Sequence, residues 1–286
     1  MDLATILIQL LNSVQYGLLL FLISSGLTLV FGIMGVINLA HGAMYMIGAY
    51  LAYAFVDWSG SLGVAILLGI PVMLIVGIVI ERFLIDSLYS RDHLFQVLLT
   101  FGLILILNDI QSILWGNDTH GVPIPDMLNG SISLTDNMSY PVYRLAVSGI
   151  CLALAIGMYW VIQKTRLGMT IRAGASNREM VESLGINVRT LFTIIFAAGV
   201  ALAGLGGILS APLSSVYPGM GDNVLIICLV VVVIGGIGSI KGAFWGAMMI
   251  GLVSTFGPVL IPSLASVMVY LVMALVLLVK PRGLFA

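Results

Sequence analysis

The chain has 286 residues, 60% of them hydrophobic and 8% charged, with a formal net charge of −1 and a mean hydropathy of +1.18. In an ordinary soluble domain about a quarter of the residues are charged, so that class is excluded. At roughly 20 apolar residues per crossing of ~30 Å of hydrocarbon, the length holds many membrane spans.

Apolar runs bounded by charge, glycine or proline predict nine spans, at roughly 5–31, 33–56, 61–84, 94–115, 141–162, 190–211, 223–240, 242–261 and 263–280. All should be α-helical, because an open sheet edge leaves polar backbone groups unpaired in lipid. The predicted fold class is an all-α polytopic membrane protein of eight or nine transmembrane helices, in one domain over 1–286. The opening MDLATILIQLL has no basic region and no small-residue cleavage site, and reads as a retained first span.

Within the second span, NLAHGAMY places Asn38 and His41 among Gly35, Gly42 and Gly48. The glycines allow close helix approach or a break, and a break would expose carbonyls along a pathway. His41 would lie eight residues into the helix, either as a packed, hydrogen-bonded residue or as part of that path. Pro71 and Pro258 fall inside spans and should kink them. In the fourth span Asp109 stands beside Asn108 and close to Gln111 and Ser112, ~9 Å from the helix end. An ionisable group in lipid is costly and a functional candidate by default. It would meet the ammonium of an entering solute, or it is a polar turn bonded to neighbouring helices.

The loop 116–140 is dense in turn formers, and SISLT within it alternates like a short strand. Its three Asn-x-Ser/Thr triplets, at Asn117, Asn129 and Asn137, are expected by chance in such a loop.

The segment Lys164–Arg189 holds five of the eleven basic residues and two of the three glutamates. Ser176 to Glu179 is a capping-box pattern and Gly185 a helix stop, which predicts a short helix over about 177–184. Met180, Val181 and Leu184 share one face of it. Two turns are not stable alone in water, so this helix must dock. It docks on the protein's own inner surface or on a partner, or it lies on headgroups with its arginines on anionic lipid.

Further on, Gly199, Ala203 and Gly207 form a row of small residues, and Gly242 with Gly246 a GxxxG. Each packs helices within the chain or meets a second subunit. The joint GGIGSIKG is either a tight hairpin or part of a re-entrant segment. HGAMY (41–45) recurs loosely as KGAFW (241–245), a hint of a structural repeat. Cys151 and Cys228 lie in apolar runs and give no metal or disulfide spacing. His41, His93 and His120 fall at three different depths and cannot share a metal.

The charges orient the map. With the N-terminus outside and Lys164–Arg189 inside, ten basic residues fall inside and only Arg144 outside, while the outer loops carry five aspartates. That asymmetry predicts N-out, C-in.

Four segments, in order, carry a resemblance: GLTLVFGIMGVINLAHGAMYMIGAY (26–50), RAGASNREMVESLGINV (172–188), GGIGSIKGAFWGA (235–247) and KPRGLF (280–285). Together they resemble the permease subunits of branched-chain amino acid ABC transporters, in particular the LivH-like branch, from the first span to the C-terminus. The resemblance implies that the inner loop is a coupling helix seated in a cytosolic ATPase subunit. Arg172, Ala173, Ser176, Asn177, Glu179, Leu184 and Gly185 would then belong to that contact. The family's small residue mid-helix is replaced by Met180 or Val181.

No G-x-x-x-x-G-K-[ST] occurs, so ATP and Mg are expected on partner subunits and no cofactor on this chain. The implied partners are two ATP-binding cassette subunits, a second permease subunit, a periplasmic solute-binding protein and the bilayer, with no nucleic acid. No catalytic arrangement is present, so the chain is read as a non-enzymatic membrane subunit. Two alternatives stand: the same architecture carrying urea or short amides, and an autonomous secondary carrier or channel. A carrier usually wants ionisable residues deep in its spans, and only Asp109 and His41 are offered.

Overall fold

The computed structural model describes the backbone of residues 3–89, 91–135, 138–176 and 178–285. Its first helix, α1 (Leu3–Leu29), runs on through a π turn, Val30–Met34, and stops at Gly35. Gly35 has φ 66°, a left-handed conformation that glycine adopts without steric cost. The next residues are not helical: the Asn38 side-chain oxygen accepts from the Ala40 N–H at 3.1 Å. Such local bonding competes with the helix ladder. The second helix, α2 (His41–Ser59), therefore begins at His41. The expected continuous helix from residue 33 is corrected here. Asn38 lies in a break, and His41 is the first residue of α2 rather than the eighth of a span.

Next come α3 (Leu62–Ile80), extended by turns as far as Leu88, and α4 (His93–Trp115). The expected strand SISLT is β1 (Ser131–Thr135), paired antiparallel with β2 (Met138–Pro141). Then follow α5 (Val142–Lys164), α6 (Arg166–Ser176), α7 (Arg178–Ser183) and α8 (Val188–Ser210). The chain ends with α9 (Met220–Gly235), α10 (Ile240–Leu260) and α11 (Ala265–Val279). Between α9 and α10 lies a tight turn with Gly236 and Gly238 both at positive φ, so this joint is a hairpin and not a re-entrant segment.

Among the described residues seven helices are long and apolar enough to cross a membrane. The other two at predicted span positions are α2 and α9. At 16 residues α9 is only ~24 Å long, and α2 mixes tyrosines, glycines and alanines. Both are shielded: 12 of the 19 residues of α2 are buried. A helix that meets protein on most sides needs neither full length nor full hydrophobicity. By contrast, none of the most apolar window of α11 is buried, and that helix lies on the periphery.

The shielding comes from α1 and α8, which pack against each other and against α10, α2 and α3. Glycine sets the distance. A Cβ on Gly48 would come within 2.1 Å of the Gly204 carbonyl oxygen, and one on Gly207 within 2.0 Å of that of Tyr45. At such contacts the α2 and α8 backbones touch directly. The other small residues singled out in the sequence also face neighbouring helices of this chain. Gly42 meets Gly221 of α9, Gly199 meets Gly26 of α1, and Gly242 and Gly246 meet Gly235 of α9. Ala203 is fully buried.

Contacts along antiparallel α3 and α8 sort the bundle ends: Gly69 faces Ile208, and Asp86 meets Arg189. One end, the basic end, carries Lys164, Arg189, Lys241 and Lys280. The other, the hairpin end, carries β1, β2 and the end of α4.

Candidate translocation cavity and docking surface

Toward the hairpin end the middle of α1, the first turn of α5, the end of α8 and the second half of α10 line a cavity of about 470 Å³. Its size is that of a small-molecule site. Asn12 and Gln15 of α1, Ser210 of α8 and Thr255 of α10 line it, with Arg144 as its sole charge. The Arg144 guanidinium donates to the Asn12 Oδ1 at 2.7 Å, and the Tyr140 phenol donates to the same oxygen at 3.2 Å. Burial holds the Tyr140 phenol above its ordinary pKa, while Arg144 pulls the other way. Tyr45 of α2 shares a 2.6 Å hydrogen bond with Ser210. A fixed guanidinium among amides and hydroxyls, beside Leu19 and Leu213, suits a carboxylate joined to an apolar body.

One turn of α2, ~6 Å, separates Tyr45 from His41. His41 and Asn38 are each 1% exposed. His41 Nε2 bonds the Ile23 carbonyl at 2.8 Å. Its Nδ1 and the Asn38 Nδ2 have no hydrogen-bond partner, so the start of α2 holds two unmatched polar atoms in the centre of the bundle. Asn108 and Asp109 are not with them. Asn108 is half-buried, and Asp109 is exposed on the outside of α4, away from the cavity. The buried polar residues of that helix are Gln96, Thr100 and Gln111, the last with its amide donating to the Gly116 carbonyl at 2.7 Å.

At the basic end the loop 164–189 contains two helices where the sequence pattern predicted one. The additional helix, α6, is held by α5: Gly168 lies against the Ile162 carbonyl, and the Arg172 guanidinium donates to it. Arg172 and Ala173 are exposed. Asn177 and the side chains of Ser176 and Glu179, and with them the capping box, lie outside the described residues.

The stop at Gly185 is present, at φ 80°. The Ile186 N–H reaches the Val181 carbonyl at 3.3 Å and the Gly185 N–H the Glu182 carbonyl at 3.0 Å, a Schellman motif. Two residues later the Asn187 side chain caps α8 by accepting from the Thr190 N–H at 3.0 Å. The joint from α7 to α8 thus has its turns fixed by hydrogen bonds. The predicted apolar face of α7 is divided: Val181 is buried at 2% exposure, while Met180 and Leu184 are 58% and 72% exposed.

Two groups went unassigned in the sequence. One is Arg144, which served only as the exception to a charge count. The other is Glu81, fully buried, whose carboxyl accepts from Tyr89 and from Thr193 of α8 at 2.6 Å each. Its signal was available: a single glutamate following 23 uncharged residues, with apolar residues resuming after Arg82. Nearby, Arg189 pairs with Asp86, so the α3 end and the α8 start are tied twice.

The profile of a family described as the branched-chain amino acid transport system permease component matches residues 9–278. The high-affinity branched-chain amino acid transport system permease protein LivH of Salmonella typhimurium is 30% identical over 290 aligned positions, covering 96% of this chain and 94% of that protein. BraD of Pseudomonas aeruginosa, with the same description, is 29% identical with the same coverage. A probable permease of this kind from Methanocaldococcus jannaschii is 27% identical over 84% of the chain and 78% of its own length. No solved structure matches.

Proposed function

The chain belongs to the family of branched-chain amino acid transport permeases, and from that premise we propose that it is one permease subunit of an ATP-driven importer. It takes branched-chain or related amino acids from a periplasmic binding protein into the cytoplasm. The hairpin end faces the periplasm and the basic end the cytoplasm, in keeping with the charge asymmetry of the loops. ATP and Mg reside on two cytosolic ATPase subunits, and a second permease subunit completes the membrane part.

The observation that carries this reading is the apolar pair Met180 and Leu184, exposed at the charged end of the bundle and joined to α8 by a fixed turn. Two large apolar side chains exposed on one short helix favour a partner that covers them, and an ATPase cleft would do so. A push on α7 then moves α8. Because α8 touches α1, α2 and α3, that movement reaches the start of α2, where Asn38 and His41 block the way below the cavity. At the periplasmic end Arg144 receives the substrate carboxylate, and the apolar wall receives the branched side chain.

The test is gentle purification from native membranes, followed by identification of whatever accompanies the chain. Two ATPase subunits and a second permease are expected, and Leu184→Asp should lose the ATPases. A lone chain that transports solute in liposomes without ATP would end the proposal.

A further inference from the structure

On the flank of the bundle between α5 and α10, a cavity with cations in its lining and an apolar groove meet. The cavity, about 240 Å³, lies at the basic end against Arg172, Lys241, Gln163 and Ser239. Among the described residues two cations line it and no acidic side chain does. The groove, about 250 Å³, is lined by Leu152, Ile156, Phe244 and Trp245 and has almost no polar surface. Tyr159, Ile240 and Lys241 line both, which places Lys241 where the two join. Trp245 is one turn of α10 farther in, ~6 Å, and 57% exposed, the placing of an interfacial aromatic.

A free anion would use the cavity alone. A soluble protein partner would reach the cavity but not a groove that runs along the spans. One class of molecule fits both: a phosphate head joined to a hydrocarbon tail. We propose that this paired site binds one anionic glycerophospholipid from the leaflet at the basic end. Its phosphate sits between Arg172 and Lys241, and an acyl chain lies along Leu152, Ile156 and Trp245. Each cation at a membrane surface favours an anionic lipid roughly fivefold. The site therefore prefers anionic to zwitterionic lipid, and it places that lipid against α6, at the root of the docking loop. This inference does not depend on which solute is carried.

The test purifies the chain, with the subunits that accompany it, in mild detergent and identifies the retained lipids by mass spectrometry. The same material in phosphatidylcholine nanodiscs, with and without phosphatidylglycerol, gives a thermal unfolding midpoint. Phosphatidylglycerol should be enriched over the bulk membrane and should raise the midpoint. Lys241→Gln should lower its retention roughly fivefold. Leu152→Trp fills the groove without touching a charge and should lower retention as well; it decides the matter if Lys241→Gln does not accumulate. Retained lipid that mirrors the bulk membrane would overturn the proposal. So would an equal rise with inorganic phosphate alone, which assigns the cavity to a free anion. Loss of the lipid when the ATPase subunits bind would give the cavity to a protein partner instead.

Discussion

The two ends of the bundle invert the usual placement of polar and apolar groups in opposite ways. At the hairpin end Asn12, Gln15, Tyr45, Arg144 and Ser210 turn away from lipid and surround a cavity. At the basic end Met180 and Leu184 turn away from the protein into water, although Val181 beside them is buried. Each departure costs free energy in isolation: a cation held among helices at one end, uncovered apolar area at the other. On the proposed reading both become favourable once a partner arrives, a solute in the first case and a protein in the second.

Breaking the apolar end should have the largest effect. Leu184→Asp places a charge where a partner must cover the chain, and loss of one interface anchor costs about 2 kcal/mol or more. ATP-driven uptake should fall at least thirtyfold in a radiolabelled-leucine assay, with the chain still present in the membrane at its usual level. Arg144→Gln breaks the polar end. Removing a charge-assisted bond of about 1.5–3 kcal/mol should raise the half-saturating concentration roughly tenfold to a hundredfold. ATPase stimulation at saturating substrate should be retained, which separates this variant from the first. Gly185→Ala asks whether the fixed turn matters. A left-handed alanine costs about 1–2 kcal/mol, so coupling measured as solute moved per ATP should drop severalfold while ATPase binding persists. Tyr140→Phe removes one of two donors to Asn12, and about 1 kcal/mol predicts a loss of affinity of roughly fivefold. If Tyr140→Phe proved worse than Arg144→Gln, the cavity would not be organised around its cation.

All nine predicted segments contain a helix, because hydropathy over twenty residues reports transfer into an apolar environment whatever the tertiary contacts. Gly185 and SISLT were legible for a local reason: a helix stop and an alternating strand are properties of a few neighbouring residues. The break at 35–40 was not settled by the pattern, whose glycines allowed either a break or close helix approach. Asn38 and Gly35 act there through a side-chain bond and a positive φ that an apolar average does not record. Nor was α6, whose stability comes from α5 through Gly168 and Arg172. The cavity was least legible of all, since Asn12, Tyr45, Arg144 and Ser210 are scattered along the chain and only folding brings them together. Asp109 shows the converse: its composition marked it as functional, yet its position on α4 sets it apart from the cavity.

The contact of α2 with α8 has a bearing on speed. Where Gly48 meets Gly204 and Gly207 meets Tyr45, backbone lies on backbone. A surface of that kind has no rotamers to exchange, so a shift of one helix along the other needs no repacking at the point of contact. Its rate is set by whole-helix motion, on the order of microseconds to milliseconds, and by the drag of the lipid around the periphery. Adding a single methyl at Gly48 or Gly207, within about 2.1 Å of a facing backbone oxygen, would wedge the two helices apart and remove that sliding surface.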